Sequence, residues 1–122
     1  MSLFDITNKN IIVTGSNRGN GFAIAEGLLN AGAKVIRLDK EFSSKLETED
    51  YKVDLIDLGK VDQILHELHE KFGAFDALVN NAGVSLFSEA PYFDMQLYNE
   101  VLSINLHATF KLSAGVCEFM KN

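Results

Sequence analysis

A single cysteine, Cys117, leaves this chain without the means to form an intramolecular disulfide. It also lacks any apolar run near the roughly 20 residues that span a bilayer, so no membrane-spanning helix is expected. The opening residues, Met1-Ser2-Leu3-Phe4-Asp5, have neither the basic segment nor the apolar stretch of a secretory leader, and a soluble cytoplasmic protein is the expectation. Positive charge is scarce as well: 11 Lys and Arg against 17 Asp and Glu give a formal net charge of −6. Nucleic-acid binders present dense Lys/Arg surfaces to phosphates, so this balance argues against that partner class. A nucleotide cofactor is not excluded, because backbone N–H groups at a helix N-terminus can hold a diphosphate without net positive charge.

What is present is an ordinary apolar share, 47% of 122 residues. That suffices for one core, and residues 1–122 read as one domain with little room for a separate substrate domain. Short apolar runs alternate with longer helical patterns. Asn10 to Thr14 reads as a buried strand stopped by Gly15. Phe22, Ala25, Leu28 and Leu29 recur at helical spacing between Asn20 and Ala31, and Gly32 closes that helix. Lys34 to Leu38 forms a second strand ending at Asp39, and the charged stretch Glu41 to Asp50 reads as a solvated loop or short exposed helix. Tyr51 to Val53 is a brief third strand. Val61, Ile64, Leu65, Leu68 and Phe72 mark one face of an amphipathic helix, with Asp57 placed to cap it. Phe75 to Val79 is a fourth strand, the only proline, Pro91, sits in the following loop, and a long helix runs from Asp94 to Met120. Strands alternating with helices predict right-handed crossovers, a parallel sheet and an α/β fold. A receiver-like domain would need an acidic pair just after the first strand, where Thr14-Gly15-Ser16 stands instead.

The first strand passes into the first helix through Thr14-Gly15-Ser16-Asn17-Arg18-Gly19-Asn20-Gly21. In a dinucleotide fold, Gly15 would permit the tight turn, Gly19 the approach of a pyrophosphate and Gly21 close helix–strand packing. Such glycines say little in isolation. Here they have a strand before, a helix after and an acid, Asp39, about 20 residues further on. A carboxylate there can hydrogen-bond the hydroxyls of an adenosine ribose and would repel a 2′-phosphate, which favours NAD over NADP. Arg18, Arg37 and Lys40 lie nearby in sequence, and any one of them could reach a phosphate instead, leaving NADP the lesser alternative.

Taken in order, Thr14-Gly15-x-x-x-Gly19-x-Gly21, Asp39, Asp54-Leu55, Asn80-Asn81-Ala82-Gly83 and Asn105 closely resemble the short-chain dehydrogenase/reductases, from about Lys9 onward. The resemblance implies a Rossmann-like doubly wound parallel sheet, here reaching about four strands and a long helix. It implies oxidoreduction between an alcohol or carbonyl substrate and a nicotinamide cofactor. By the same likeness Asp54 would contact the adenine amino group, Leu55 would lie against the ring, and Asn80 to Gly83 would steady the sheet with backbone close to the cofactor. Asn105 matches the asparagine of the family's Asn-Ser-Tyr-Lys tetrad, which helps hold a water in a proton relay. Asp54 has the alternative of capping a loop, and Asn105 of satisfying buried backbone.

The family's chemistry needs a tyrosine four residues before a lysine, and a serine ahead of both. Four residues after Tyr51, Tyr92 and Tyr98 stand Leu55, Gln96 and Leu102, so these 122 residues contain no Tyr-x-x-x-Lys. The chain therefore reads as a cofactor-binding portion, incomplete against the full fold and inactive alone, with the loop from Val84 to Phe93 bordering any substrate. His66 and His69 are flanked by charges and read as a solvated face, not a metal site, and the acidic Glu47 to Asp50 as solvated surface. His107 reads as packing and Cys117 as a small buried side chain.

A sheet ending at its fourth strand leaves an edge open. The last helix is apolar on two sides, with Leu97, Val101, Ile104 and Ala108 on one and Leu102, Leu106 and Phe110 on another. The family uses this helix in dimer contacts, so a homo-oligomer is expected. Light scattering on the purified chain should give a mass above that of one copy, and a strict monomer at every concentration would contradict this.

Overall fold

The computed structural model describes residues 2–86, 88, 89 and 94–120. Pro91 and the rest of segment 90–93 lie outside the described residues, as does Phe87 within the expected substrate loop. Four strands, β1 (Asn10–Thr14), β2 (Lys34–Asp39), β3 (Glu49–Lys52) and β4 (Ala77–Val79), form one parallel sheet in the order β3-β2-β1-β4. Between them lie α1 (Gly19–Asn30) and α2 (Leu58–Phe72). The chain continues through α3 (Met95–Leu102), a π-helical stretch Ser103–Ala108, and α4 (Thr109–Phe119). No helix among the described residues is long and apolar enough to cross a membrane.

The sheet is buried on both faces, which is why β1 and β2 read as continuous apolar runs rather than alternating ones. Ile12, Ile36 and Leu38 pack with Val61, Leu65 and Leu68 of α2 and with Leu112 and Val116 of α4. Ile11, Val13 and Val35 face the other way, against Ala25 of α1 and Ala33. Helices α2 and α4 approach so closely that a Cβ on Gly115 would stand 2.6 Å from Leu65 Cδ1. Helix α2 begins where expected, because the Asp57 carboxylate accepts from the Lys60 N–H at 3.1 Å and satisfies a donor that the first turn leaves free.

Several boundaries differ from the sequence reading, each for a local reason. Strand β3 starts at Glu49 rather than Tyr51, because Asp50 is drawn into the sheet by the Arg37 guanidinium (Nε–Oδ1 2.8 Å, Nη2–Oδ2 2.7 Å). The acidic stretch thus ends in an ion pair and not only in solvated surface. Strand β4 starts at Ala77, two residues past the expected start: Phe75 turns into the core against His69 and Phe119, and Asp76 donates its N–H to the Asn10 carbonyl at 2.9 Å. The last helix is broken into three by its π-helical stretch, where bonds reach one residue further than in an α-helix.

Of the two histidines expected on a solvated face, His66 is exposed as expected, while His69 is partly buried. His69 stacks on Phe119 with ring centroids 4.3 Å apart, and His66 meets the same ring edge-on at 5.1 Å. Cys117 and His107, expected to be packed, are exposed. Of the two apolar sides of the last helix, one is covered through Ala108, Leu112 and Val116, while Leu106 and Phe110 remain 57% and 75% exposed. The core at the α2–α4 contact sets a direct expectation. Leu65→Ala should cost about 2–5 kcal/mol in urea unfolding, while Leu106→Ala should stay within about 0.5 kcal/mol.

Candidate functional site

At the C-terminal ends of the parallel strands lies a cleft of about 610 Å³, a volume suited to a small-molecule ligand. Its floor is the turn out of β1. Gly15 adopts φ +60, and a Cβ there would stand 2.8 Å from Ala82 Cα. Gly21 sits so close to the strand that a Cβ would overlap the Gly15 carbonyl and Asn81 Nδ2. Both positions are thus closed to side chains by the backbone of their neighbours. Gly19 opens α1 with nothing within 4 Å of where a Cβ would stand, so space is free beside the helix start. Arg18 holds the N-cap position without a side-chain hydrogen bond to the first turn. The N-terminal donors of α1 are consequently not capped by a side chain, and the helix dipole adds positive potential at that point.

Thr14 ties this turn to the one after β4. Its buried Oγ1 accepts from the N–H groups of Asn81 at 3.1 Å and Ala82 at 3.0 Å, and lies 3.5 Å from the Val79 carbonyl to which it donates. Asn81 returns the contact, donating from Nδ2 to the carbonyls of Thr14 at 3.2 Å and Gly15 at 3.0 Å. Asn80 instead points away, to Ser113 Oγ on α4 at 3.0 Å. Thr14, which opens the glycine motif but whose side chain was given no role from sequence, supplies the central hydroxyl that joins the Asn80 to Gly83 segment to the end of β1.

Asp39 stands at the end of β2 on the cleft wall, with Oδ2 accepting from the Asn17 N–H at 3.0 Å and Oδ1 at 3.5 Å from the Glu41 N–H. Asp54 and Leu55 form the next part of that wall. The Asp54 carboxylate accepts from the Ile56 N–H at 3.1 Å and lies 3.9 Å from Lys40 Nζ, so it also serves the loop-capping role weighed for it. Asn17, Arg18, Asn20, Ala82 and Gly83 line the cleft as well. Ser16 does not: its side chain is fully buried, and its hydroxyl has no hydrogen-bond partner among the described residues. A side-chain role for Ser16 toward a ligand is therefore set aside. Leu38, Lys40, Glu41, Val53, Val84 and Ile104 line it too; of these, Val84 was expected at the edge of a substrate loop, and Val53 and Ile104 were not named for a ligand from sequence. Val53 had a signal, since it directly precedes Asp54, whereas Ile104 is brought in by the π-helical stretch.

Asn105, in that stretch, binds the Val84 backbone at both ends of its amide. Oδ1 accepts from the Val84 N–H, and Nδ2 donates to the Val84 carbonyl, each at 2.8 Å. Its side chain satisfies backbone, one of the alternatives open from sequence, and it holds the segment that follows Gly83. Arg37, named from sequence as one possible phosphate contact, cannot be one. It is fully buried, and its guanidinium is committed to Asp50, Thr48, Ser44 and the Ser16 carbonyl. Arg18 and Lys40 are the exposed basic groups of the cleft.

A parallel β-α-β sheet with a glycine turn between its first strand and helix, and an acid closing its second strand, defines a Rossmann-like domain. The chain belongs to the short-chain dehydrogenase family, whose match spans residues 9–122. It is 31% identical over 130 residues to the uncharacterised oxidoreductase YgcW of Escherichia coli, covering 98% of this chain and 50% of that protein. It is 32% identical over 120 residues to 3-oxoacyl-(acyl-carrier-protein) reductase FabG of Salmonella typhimurium, covering 92% and 49% respectively. Ligand-free aldohexose dehydrogenase of Thermoplasma acidophilum superposes with a TM-score of 0.89 at 27% identity, over 95% of this chain and 46% of that one. The chain thus spans about half the length of the relatives it matches.

The Thr14 clamp can be tested alone. Thr14→Val keeps the shape but leaves two backbone N–H groups without their acceptor. It should destabilise the chain by about 1–3 kcal/mol in denaturant unfolding, and an unchanged midpoint would refute the clamp.

Proposed function

We propose that this chain is the nucleotide-binding part of an oxidoreductase that moves hydride between a nicotinamide cofactor and an alcohol or carbonyl substrate, and that NAD is its preferred cofactor. The observation that carries the choice is the Asp39 carboxylate on the cleft wall, across from the start of α1. The residues present fit such a ligand. Uncapped N–H donors at Gly19, Asn20 and Gly21, with open space at Gly19, suit a pyrophosphate. Asp39 suits a ribose diol, and Asp54 with Leu55 suits an adenine ring. When bound, the cofactor supplies the hydride chemistry.

The chain's own residues bind and orient. Ala82 and Gly83, held through Thr14 and followed by the Asn105-clamped Val84, give a fixed backbone wall, to which Asn81 contributes its side-chain contacts with the Thr14 and Gly15 carbonyls. Asn105 is the one member of the family's tetrad that these 122 residues match, and proton transfer is not assigned to any other residue here. Turnover by this chain alone is therefore not expected. The reading extends to self-association, supported by the exposure of Leu106 and Phe110. A second reading, an NAD-binding module without catalysis, rests on the absence of Tyr-x-x-x-Lys from this sequence.

Fluorescence titration with NADH and NADPH tests the cofactor choice. NADH should bind more tightly, and Asp39→Ser should weaken NADH while improving NADPH, because the carboxylate that repels a 2′-phosphate is gone. Tighter NADPH binding by the unmodified chain would overturn the preference, and binding of neither would overturn the site.

A further inference from the structure

Arg37 presents an unusual arrangement for a strand buried on both faces. It is a charged residue in an apolar run, fully excluded from solvent, on the same side of β2 as Val35. An unpaired guanidinium there would be strongly unfavourable, and the structure pairs it completely. Asp50 takes it in bidentate fashion from β3, and Thr48 Oγ1 accepts from Nε at 3.0 Å. The remaining donors bond to the glycine turn and to the loop after β2. Nη1 donates to the Ser16 carbonyl and to Ser44 Oγ, both at 3.1 Å, and Nη2 donates to the Ser44 carbonyl at 3.1 Å.

From there the bonding runs on toward the cleft. Ser44 Oγ, its lone pair taken by Arg37, donates its proton to the Asn17 carbonyl at 2.6 Å. Asn17 Oδ1 accepts from the N–H groups of Ser43 at 2.8 Å and Ser44 at 3.1 Å. The Asn17 N–H in turn donates to Asp39 Oδ2 at 3.0 Å. Residues from the glycine turn, from the end of β2 and from the loop after it are thereby bonded into one unit, and that unit terminates on the carboxylate of the cleft wall.

Resting on the cofactor reading above, we propose that Arg37 is a positioning residue for cofactor choice, acting through Ser44 and Asn17 to fix the Asp39 carboxylate. With Oδ2 engaged by Asn17, the carboxylate cannot swing away from the cleft. It stays where it accepts from a ribose diol and repels a 2′-phosphate. Release would let a phosphate settle between the exposed Arg18 and Lys40, which flank the same cleft. An arginine within the second strand thus favours the dinucleotide without a phosphate, the opposite of what its charge suggests from sequence.

Ser44 does not line the cleft, so its substitution tests the linkage without touching the ligand. Ser44→Ala removes the Oγ relay and leaves Arg37 paired to Asp50. The ratio of NADH to NADPH affinity should fall about threefold to tenfold, with a lowered melting temperature because the buried Arg37 Nη1 loses an acceptor, and Ser44→Thr, which keeps the hydroxyl, should retain both the ratio and the melting temperature. Hydrogen exchange at the Asn17 amide, which needs no cofactor, should quicken in Ser44→Ala and not in Ser44→Thr. An unchanged ratio, or equal loss of both affinities, would overturn the positioning role, as would unaltered exchange at Asn17. If the unmodified chain and both variants bind neither cofactor, the cofactor reading itself fails and this proposal with it, an outcome told apart by the silence of the unmodified chain.

Discussion

The arrangement depends on one close approach, that of the start of α1 to the end of β1. A Cβ on Gly21 would occupy the space of the Gly15 carbonyl and Asn81 Nδ2, and one on Gly15 would meet Ala82. Two turns from different strands are therefore packed backbone to backbone. Because the two glycines bring no side chain to the contact, the polar backbone groups there must be satisfied by neighbouring residues. Thr14 and Asn81 perform that task by exchanging hydrogen bonds across the junction. The consequence reaches the cleft: the helix start and the β4 turn are fixed relative to one another before any ligand arrives. Preorganised donors of this kind need little rearrangement on binding.

An acidic chain proposed to hold a phosphate-bearing molecule presents an apparent conflict of charge. Net charge describes the long-range field, whereas the local site is set by oriented N–H groups and a few side chains. The buried cation of the sheet, Arg37, contributes little to that field because Asp50 faces it at 2.7 Å. Its influence passes instead through oriented hydrogen bonds to Ser44 and onward to Asn17. Lys40 is likewise shared with Asp54 at 3.9 Å, an exposed pair that solvent screens. Arg18 is left as the exposed arginine beside the helix start, at a position where it offers no side-chain cap to α1.

Much of this was legible in the sequence because the signals were local. The run from Asn10 to Thr14, the glycine spacing and the Asp57 cap each depend on a few adjacent residues, and the structure follows them closely. The family, too, was legible, since Asn80 to Gly83 and Asp39 fall at the right distances from the glycine turn. What was not legible depends on partners remote in sequence. Asp50 reads as solvent-facing until its distance to Arg37 is known, and the start of β3 shifts with it. His69 looks solvated among charges until Phe119 stacks on it from α4, whereas His66 stays exposed with an edge contact to the same ring. Ser16 lies in the middle of the motif, but alternation at a turn does not tell which of its residues faces inward.

The last helix shows why periodicity alone was insufficient there. Two apolar faces on one helix ordinarily mean two covered faces, and a single regular helix was expected. The π-helical stretch changes the phase between α3 and α4, so that Ala108 and the α4 residues Leu112 and Val116 meet the core while Asn105 is brought over Val84. A regular helix has one phase throughout, and its residues would keep the same angular offsets from α3 to α4. The widened segment lets α4 satisfy the packing with α2 and lets Asn105 satisfy the loop after β4. Leu106 and Phe110 fall on the side this leaves bare. Their exposure is consistent with a helix whose phase is set by the core and the Val84 contact, because neither interaction requires those two side chains. The apolar surface that results gains stability only when something else covers it, at about 25 cal/mol per Å² removed from water. Contact geometry around Asn105 and the exposure of Leu106 and Phe110 thus arise from the same local change in helical winding.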